Sequence, residues 1–386
     1  MKRQEADSSR YSFTSWQQIC LITSTLIGVG VLTLPRTATS RLMEAGWMSP
    51  LIGSLGAYFS LWMIAKLSRR FPGLTFVEYS PLIWAPKGSP RLGKWISFPW
   101  IFAYLSFLYV ATGMVSRIFG EVVVTSVLLD TPLEVIIITM FLLAFFLSLH
   151  EVDVVARVNE ILFPLIIVPV LFIAIASFQK ADWNYLFPLI RVSGKSVMEG
   201  AYEAIYSFSG FEIMLIFFAF TKRNDGKEKA GFFGILITMV VYTLIVVAGI
   251  AVFGFEELQR LTWPTLELVK STEVPGLILE RLESAFLAVW VAAVFTTVAN
   301  SYYAVIYGLR QWFKKGLRFQ RVVSGLLFIP LFIITLIPQN VVEIFQISSY
   351  MGMANLILNL GVPSVYWIVL ALRGRRWESK EGKADG

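Results

Sequence analysis

The groups best suited to hold a ligand are backbone groups, at two places where an apolar segment is interrupted. The first is Leu21–Arg36, LITSTLIGVGVLTLPR, with Gly28, Val29 and Gly30 at its centre and Pro35 close behind. Gly disfavours a helix interior by up to about 1 kcal/mol relative to Ala, so two of them around one Val invite a break. A break inside hydrocarbon frees N–H and C=O groups, and that is tolerated only where the backbone faces a cavity, a ligand or another helix. Gly-x-Gly also permits close helix packing, and on this stretch alone both readings stand. The second interruption is SFSGFE, Ser207–Glu212. At such breaks, free N–H groups attract an anion such as a carboxylate, and free C=O groups attract an ammonium or a metal cation. Thr25, Gly28, Val29 and Gly30 are the candidates at the first break, and Ser207, Phe208, Ser209 and Gly210 at the second. A zwitterionic amino acid fits both kinds of end.

Candidate walls come from two further segments. Tyr104 and Phe107 lie on one, and the polar trio Thr296, Thr297 and Asn300 on the other. Membrane threonines often bond a carbonyl one turn back, which is the structural alternative for Thr296 and Thr297. Glu212 is an ionisable group inside an apolar run, costly there by at least ~2.5 kcal/mol. It either pairs with a cation or stays protonated. Glu203 follows Glu199 by one turn, so an outer-loop position is the simpler reading for it. Arg117 and Glu121, at i and i+4, fit a surface ion pair worth a few tenths of a kcal/mol. Glu280, Arg281 and Glu283 open an apolar helix, where the acidic groups complement its dipole. A lone histidine, His150 beside Glu151 and Asp153, is a poor metal site. Cys20, the only cysteine, rules out an internal disulfide and reads as a packing residue. No metal site, cofactor loop or catalytic triad is expected, so the chain does not read as an enzyme.

Composition supplies the setting. The 386 residues are 56% hydrophobic and only 15% charged, with a mean hydropathy of +0.68. Soluble domains carry about 25% charged residues, so this is an all-α polytopic membrane protein. The net charge of +7 does not indicate a nucleic-acid partner, because the charges sit in short segments between apolar runs. The first apolar run lacks a cleavage site and reads as a retained helix.

Ten crossings are predicted between a tail at 1–15 and a tail at 373–386. They start near Trp16 (helix 1), Gly46, Trp95, Leu133, Ile161, Glu199 (helix 6), Gly231, Gly276, Val322 and Val342, the last ending near Leu372. Phe71–Lys94 reads as a loop whose FVEYSPLIW segment lies along the membrane surface. Gly254–Pro275 reads as a second long loop. Most of the 33 Lys and Arg fall on the side of the tails, which places both tails in the cytoplasm. The offset that lays Gly28 on Gly210 also carries Trp95 onto Leu277, Gly46 onto Glu228 and Ile161 onto Glu343. Two halves, about 16–178 and 199–372, with five crossings each, are therefore inverted copies, and broken helices at matching positions point to a site near the midplane.

GVGVLTLPR resembles the amino acid–polyamine–organocation superfamily. FPGLTFVEYSPLI (Phe71–Ile83), YSFSGFEIML (Tyr206–Leu215), LERLESAFLAVWVAAVFTTVANSYYAVIYGLRQWF (Leu279–Phe313) and the closing ISSYMGMANLILNLGVPSVYWIVLALRGRR resemble the membrane-embedded B subunit of Ger-type spore germinant receptors. The resemblance implies a LeuT-like 5+5 inverted repeat with broken helices 1 and 6. It implies a sensor of small germinants, often amino acids, in the spore inner membrane, with A and C subunits as partners. It carries a ligand site between helices 1, 3, 6 and 8 onto Gly28, Gly30, Ser209, Gly210, Thr296 and Thr297, with either threonine as the equivalent. No Asp stands in the first break, so nothing there indicates a sodium site. An amino-acid transporter and an ion or water channel are the alternative readings.

Overall fold

A computed structural model describes residues 13–85, 89–189, 192–221, 226–272 and 282–372. The first apolar stretch is two helices. α1, Ser15–Leu26, starts at a reciprocal cap in which Gln17 N donates to Thr14 Oγ1 and Thr14 N donates to Gln17 Oε1. It stops short of Gly28, and α2, Gly30–Leu42, resumes beyond it. α3 spans Met48–Arg70, α4 Phe76–Trp84, α5 Pro90–Ser126, α6 Leu133–Ser148 and α7 Val152–Ser177. The second interrupted stretch is α8, Gly194–Ser207, followed after the break by the short α9, Met214–Phe217, with a 3-10 turn on either side. α10 covers Lys227–Arg260, α11 Pro264–Ser271, α12 Leu282–Trp312, α13 Leu317–Thr335, α14 Val341–Leu356 and α15 Val362–Leu372, with a π turn at Ile357–Gly361 between the last two.

Among the described residues, seven helical stretches are long and apolar enough to cross a membrane, or eight with the bent α8–α9 pair, against the ten crossings expected. α6 is only 16 residues long, and Gly30–Arg70 reads as one run. The lipid-facing surfaces are explicit. Ile161, Leu165, Val168, Phe172 and Ile175 on α7 are exposed at three-to-four-residue spacing, as are Val322, Leu326, Ile329 and Ile333 on α13. Such stripes suit hydrocarbon rather than water.

Several expectations need correcting. FVEYSPLIW is helical, but Phe76, Val77, Tyr79 and Ile83 are buried in protein; Phe76 meets Tyr104 and Tyr366 edge-on or tilted at 5.2 and 5.3 Å. The described part of Gly254–Pro275, up to Thr272, is largely helical rather than a loop. α10 kinks at Gly254 (φ +72°), continues to Arg260, and α11 follows. This segment grips α2: Gln259 Nε2 donates to Thr39 O at 2.9 Å, and Thr265 Oγ1 donates to Val31 O at 2.6 Å. α7 begins at Val152 rather than Ile161, because Val152, Val155, Ala156 and Asn159 make a buried face that the intervening charges hide from hydropathy. Arg117 and Glu121 do pair, at 3.0 Å, but not at the surface: Arg117 is buried, and its Nε also donates to Pro338 O. Glu280, Arg281, residues 1–12 of the first tail and the tail at 373–386 lie outside the described residues.

The two interrupted stretches lie side by side and antiparallel. Phe13 N, before α1, donates to Phe220 O at 3.0 Å, and Gln18 Nε2 donates to Thr221 Oγ1 at 2.6 Å. At the other end Ser40 Oγ on α2 donates to Glu203 Oε2 on α8 at 2.8 Å. The start of one stretch thus meets the end of the other, and the breaks fall opposite each other.

α3 packs against α8 with almost no gap at Gly53, where an added Cβ would stand 2.3 Å from Ala204 O. Overpacking of that kind costs about 1–3 kcal/mol. Gly53→Val is expected to lower the melting temperature of the purified protein by several degrees. Gly194→Ala, where a Cβ meets open space, is the control and should leave it unchanged.

Candidate functional site

Between the two breaks lies a cavity of about 420 Å³. Of the residues predicted from sequence, Thr25, Val29, Gly30, Phe107, Ser207, Ser209, Gly210, Glu212 and Thr297 line it. Gly28, Tyr104, Phe208, Thr296 and Asn300 stand behind its wall and hold the breaks in place.

The first break is braced from α10 and α12. Trp290 Nε1 donates to Gly28 O at 2.8 Å, and Tyr242 Oη donates to Leu26 O at 2.5 Å. Thr296 Oγ1 lies 3.1 Å from Ser24 O, and Thr297 Oγ1 lies 2.9 Å from Thr25 O. Both threonines are also within reach of Ala293 O one turn back. Asn300 Nδ2 donates to Thr25 Oγ1 at 2.8 Å and exchanges amide hydrogen bonds with Asn159. Gly28 sits so close to α12 that an added Cβ would be 2.2 Å from Thr297 Oγ1. The C=O groups read from sequence as open to an ammonium thus have side-chain donors nearby. Leu26 O and Gly28 O each receive one, and Ser24 O and Thr25 O lie within reach of a threonine hydroxyl, because a buried carbonyl left bare in a membrane is costly.

The other side of the first break is different. α2 opens at Val29 with no side-chain cap, and Val29 and Gly30 line the cavity. The uncapped first N–H groups and the positive end of the helix dipole suit an anion.

The second break turns at Gly210, whose φ of +128° is strained for any residue with a Cβ. Here the chain supplies its own anion. Gly210 N donates to Glu212 Oε2 at 2.8 Å, and Ser209 Oγ donates to Glu212 Oε1 at 3.2 Å. Asn355 and Asn359, on α14 and the π turn, reach the same carboxylate at 3.3 and 3.2 Å. Tyr104 Oη donates to the Glu212 backbone O at 3.0 Å. Phe208 is fully buried, edge-on to Tyr242 at 5.1 Å. Of the N–H groups at this break, Gly210 N is thus taken by Glu212, while Phe208 N and Ser209 N donate to Ile205 O and Tyr206 O.

Three features were not assigned to the site from sequence. Glu203 lines the cavity rather than an outer loop, held by Ser40 and by Arg41 at 3.5 Å. Arg36, in the GVGVLTLPR motif, lines it with its guanidinium 5.0 Å from the Phe345 ring centroid. α14 forms a wall through Ser348, Ser349 and Gly352. A signal for α14 was present: Ser348, Gly352, Asn355 and Asn359 repeat at three-to-four-residue spacing within an apolar run. Among the described residues no three His, Cys, Asp or Glu side chains gather as a metal site.

The family model described as "Spore germination protein" matches residues 12–344. Spore germination protein YndE of Bacillus subtilis (strain 168) is 30% identical over 363 residues, covering 94% of this chain and 97% of its own. Spore germination protein B2 of the same organism is 26% identical, covering 94% and 96%. Spore germination protein GerLB of Bacillus cereus is 27% identical over 73% of this chain and 74% of its own. Among solved structures, a mutant of the Eremococcus coleocola manganese transporter superposes with a TM-score of 0.57 over 93% of this chain and 77% of that one, at 16% identity. The overall fold of this chain is therefore that of a polytopic transporter-like membrane protein.

Thr297→Val keeps the shape and removes the hydroxyl that serves Thr25 O. Membrane hydrogen bonds of this kind are worth roughly 0.6–2 kcal/mol. The variant is expected to melt earlier than wild type, while Ser193→Ala, which removes an exposed helix cap far from the cavity, should shift it less.

Proposed function

The chain belongs to the spore germination protein family, and from that premise we propose that it is a germinant-receptor subunit that binds a small germinant, most simply an amino acid, in the cavity between the two breaks. The observation that carries the reading is the cavity itself. It lies where two antiparallel interrupted helices face each other, with an uncapped helix N-terminus on one side and a buried carboxylate on the other. The N-terminus of α2 suits the germinant carboxylate. Phe107, Met114 and Ile118 give the same cavity an apolar wall for a side chain.

In this reading α1–α2 is broken helix 1 and α8–α9 broken helix 6 of a ten-crossing, LeuT-like 5+5 inverted repeat, with halves at about 16–178 and 199–372. Both tails face the spore core from the inner membrane, as the positive-inside bias of the sequence favours. Ligand binding favours one arrangement of the broken helices by its differential affinity for that arrangement. A and C receptor subunits then read the change. The protein works by binding, not by catalysis. The likeness to a transporter fold supports a second reading, alternating-access transport of an amino acid. A channel for ions or water is a third reading with no feature of its own to support it.

The protein in nanodiscs, screened against the twenty L-amino acids by thermal shift, is expected to be stabilised by at least one. Proteoliposomes should not accumulate that compound; accumulation would favour transport. Phe107→Trp fills the apolar wall and should weaken binding at least tenfold with the unliganded melting temperature preserved. Stabilisation that survives this substitution would place the ligand elsewhere.

A further inference from the structure

One wall of the cavity carries a buried acidic group with no cation beside it among the described residues. Glu212 is 2% exposed. Its carboxylate receives Gly210 N at 2.8 Å, Ser209 Oγ at 3.2 Å, Asn359 Nδ2 at 3.2 Å and Asn355 Nδ2 at 3.3 Å, all of them neutral donors. Bonds to an ionised carboxylate are usually about 2.7–2.9 Å, so three of the four are long. Among the described residues no Lys, Arg or His pairs with it. Beside it, Asn359 Oδ1 is buried and receives no donor. The carboxyl group is thus met by neutral donors only, with no cation beside it, and an acceptor next to it, Asn359 Oδ1, goes unserved.

The other acceptors beside the cavity are already approached by donors. Trp290 and Tyr242 donate to Gly28 O and Leu26 O, and the Thr296 and Thr297 hydroxyls lie within reach of Ser24 O and Thr25 O. Glu203 is engaged by Ser40 and Arg41.

We propose that Glu212, with Ser209 Oγ beside it, receives a primary ammonium group of the ligand, and that the cavity therefore selects small ammonium zwitterions over analogues that lack the amine. This rests on the cavity being the ligand site. An ammonium donates up to three hydrogen bonds and brings the missing charge. It exchanges the long Ser209 contact for a charged one and leaves the short Gly210 bond intact. The ligand carboxylate then lies towards the uncapped start of α2.

The test uses the full chain in nanodiscs and four amino acids with apolar side chains: L-alanine, L-valine, L-leucine and L-phenylalanine. Each is compared with the α-hydroxy acid of the same shape, which keeps the carboxylate and replaces the ammonium by a neutral hydroxyl. At least one amino acid is expected to bind ten times or more tightly than its hydroxy acid. Glu212→Gln should weaken the amino acid at least tenfold, leave the hydroxy acid within a factor of two, and so erase the preference. The comparison within wild type needs no variant and stands even if Glu212→Gln folds poorly. Equal binding of amine and hydroxy acid by wild type would overturn the proposal, as would a preference retained in Glu212→Gln. Repeating the titration with choline replacing sodium and potassium separates the remaining source of charge. Amino-acid binding that disappears in choline would assign the carboxylate to an inorganic cation and overturn the proposal. If none of the eight compounds binds at all, the ligand-site reading itself fails, which is a different result from binding without discrimination.

Discussion

A helix interrupted inside hydrocarbon releases backbone groups that water cannot reach, and each must find a partner within the protein. Around the first break that demand dictates the neighbourhood. Trp290, Thr296 and Thr297 come from one face of α12, spaced for a single helical surface, and Tyr242 comes from α10. Asn300, one turn beyond Thr296, bonds Thr25 and links it to Asn159 on α7. The polar residues of α12 are thereby explained without any ligand. They supply donors to the carbonyl side of the break, while the N–H side opens on the cavity with no side-chain cap.

The two breaks are unlike in chemistry although they face each other. The first exposes an uncapped helix N-terminus. The second is capped by its own Glu212, which also ties the break to Asn355 and Asn359. Asn359 lies in the π turn, and its backbone O receives Ser60 Oγ from α3. π turns are frequent at functional sites. The carboxylate therefore touches the cavity on one side and a chain of polar contacts through α14, the π turn and α3 on the other. A change at the cavity has a physical route to the outer helices of the bundle, with an element of irregular geometry in its path.

Much of this was legible in the sequence because it depends on residues that disfavour helix or hydrocarbon. Gly28-Val29-Gly30 and Ser209-Gly210 mark the breaks by composition alone. The apolar runs give the helices, and the whole-chain resemblance agrees with the family match. What escaped was decided by packing. The segment after Gly254 is polar enough to read as a loop, yet its residues donate to α2 and are helical. The first turns of α7 carry charges that mask a buried face. Which carbonyls at a break are already satisfied is a matter of side chains brought from helices hundreds of residues away, and no local pattern encodes it. The α14 wall was readable as a polar stripe, but only once that stripe was known to face something.

The central claim is that a ligand sits between the two breaks and touches both. The most direct measurement is a cryo-electron microscopy structure of the protein in nanodiscs with a stabilising amino acid bound. The account predicts density bounded by Val29 and Gly30 on one side and by Ser209, Gly210 and Glu212 on the other, with both helices interrupted. Density outside the cavity, or two continuous helices with no space between them, would contradict it.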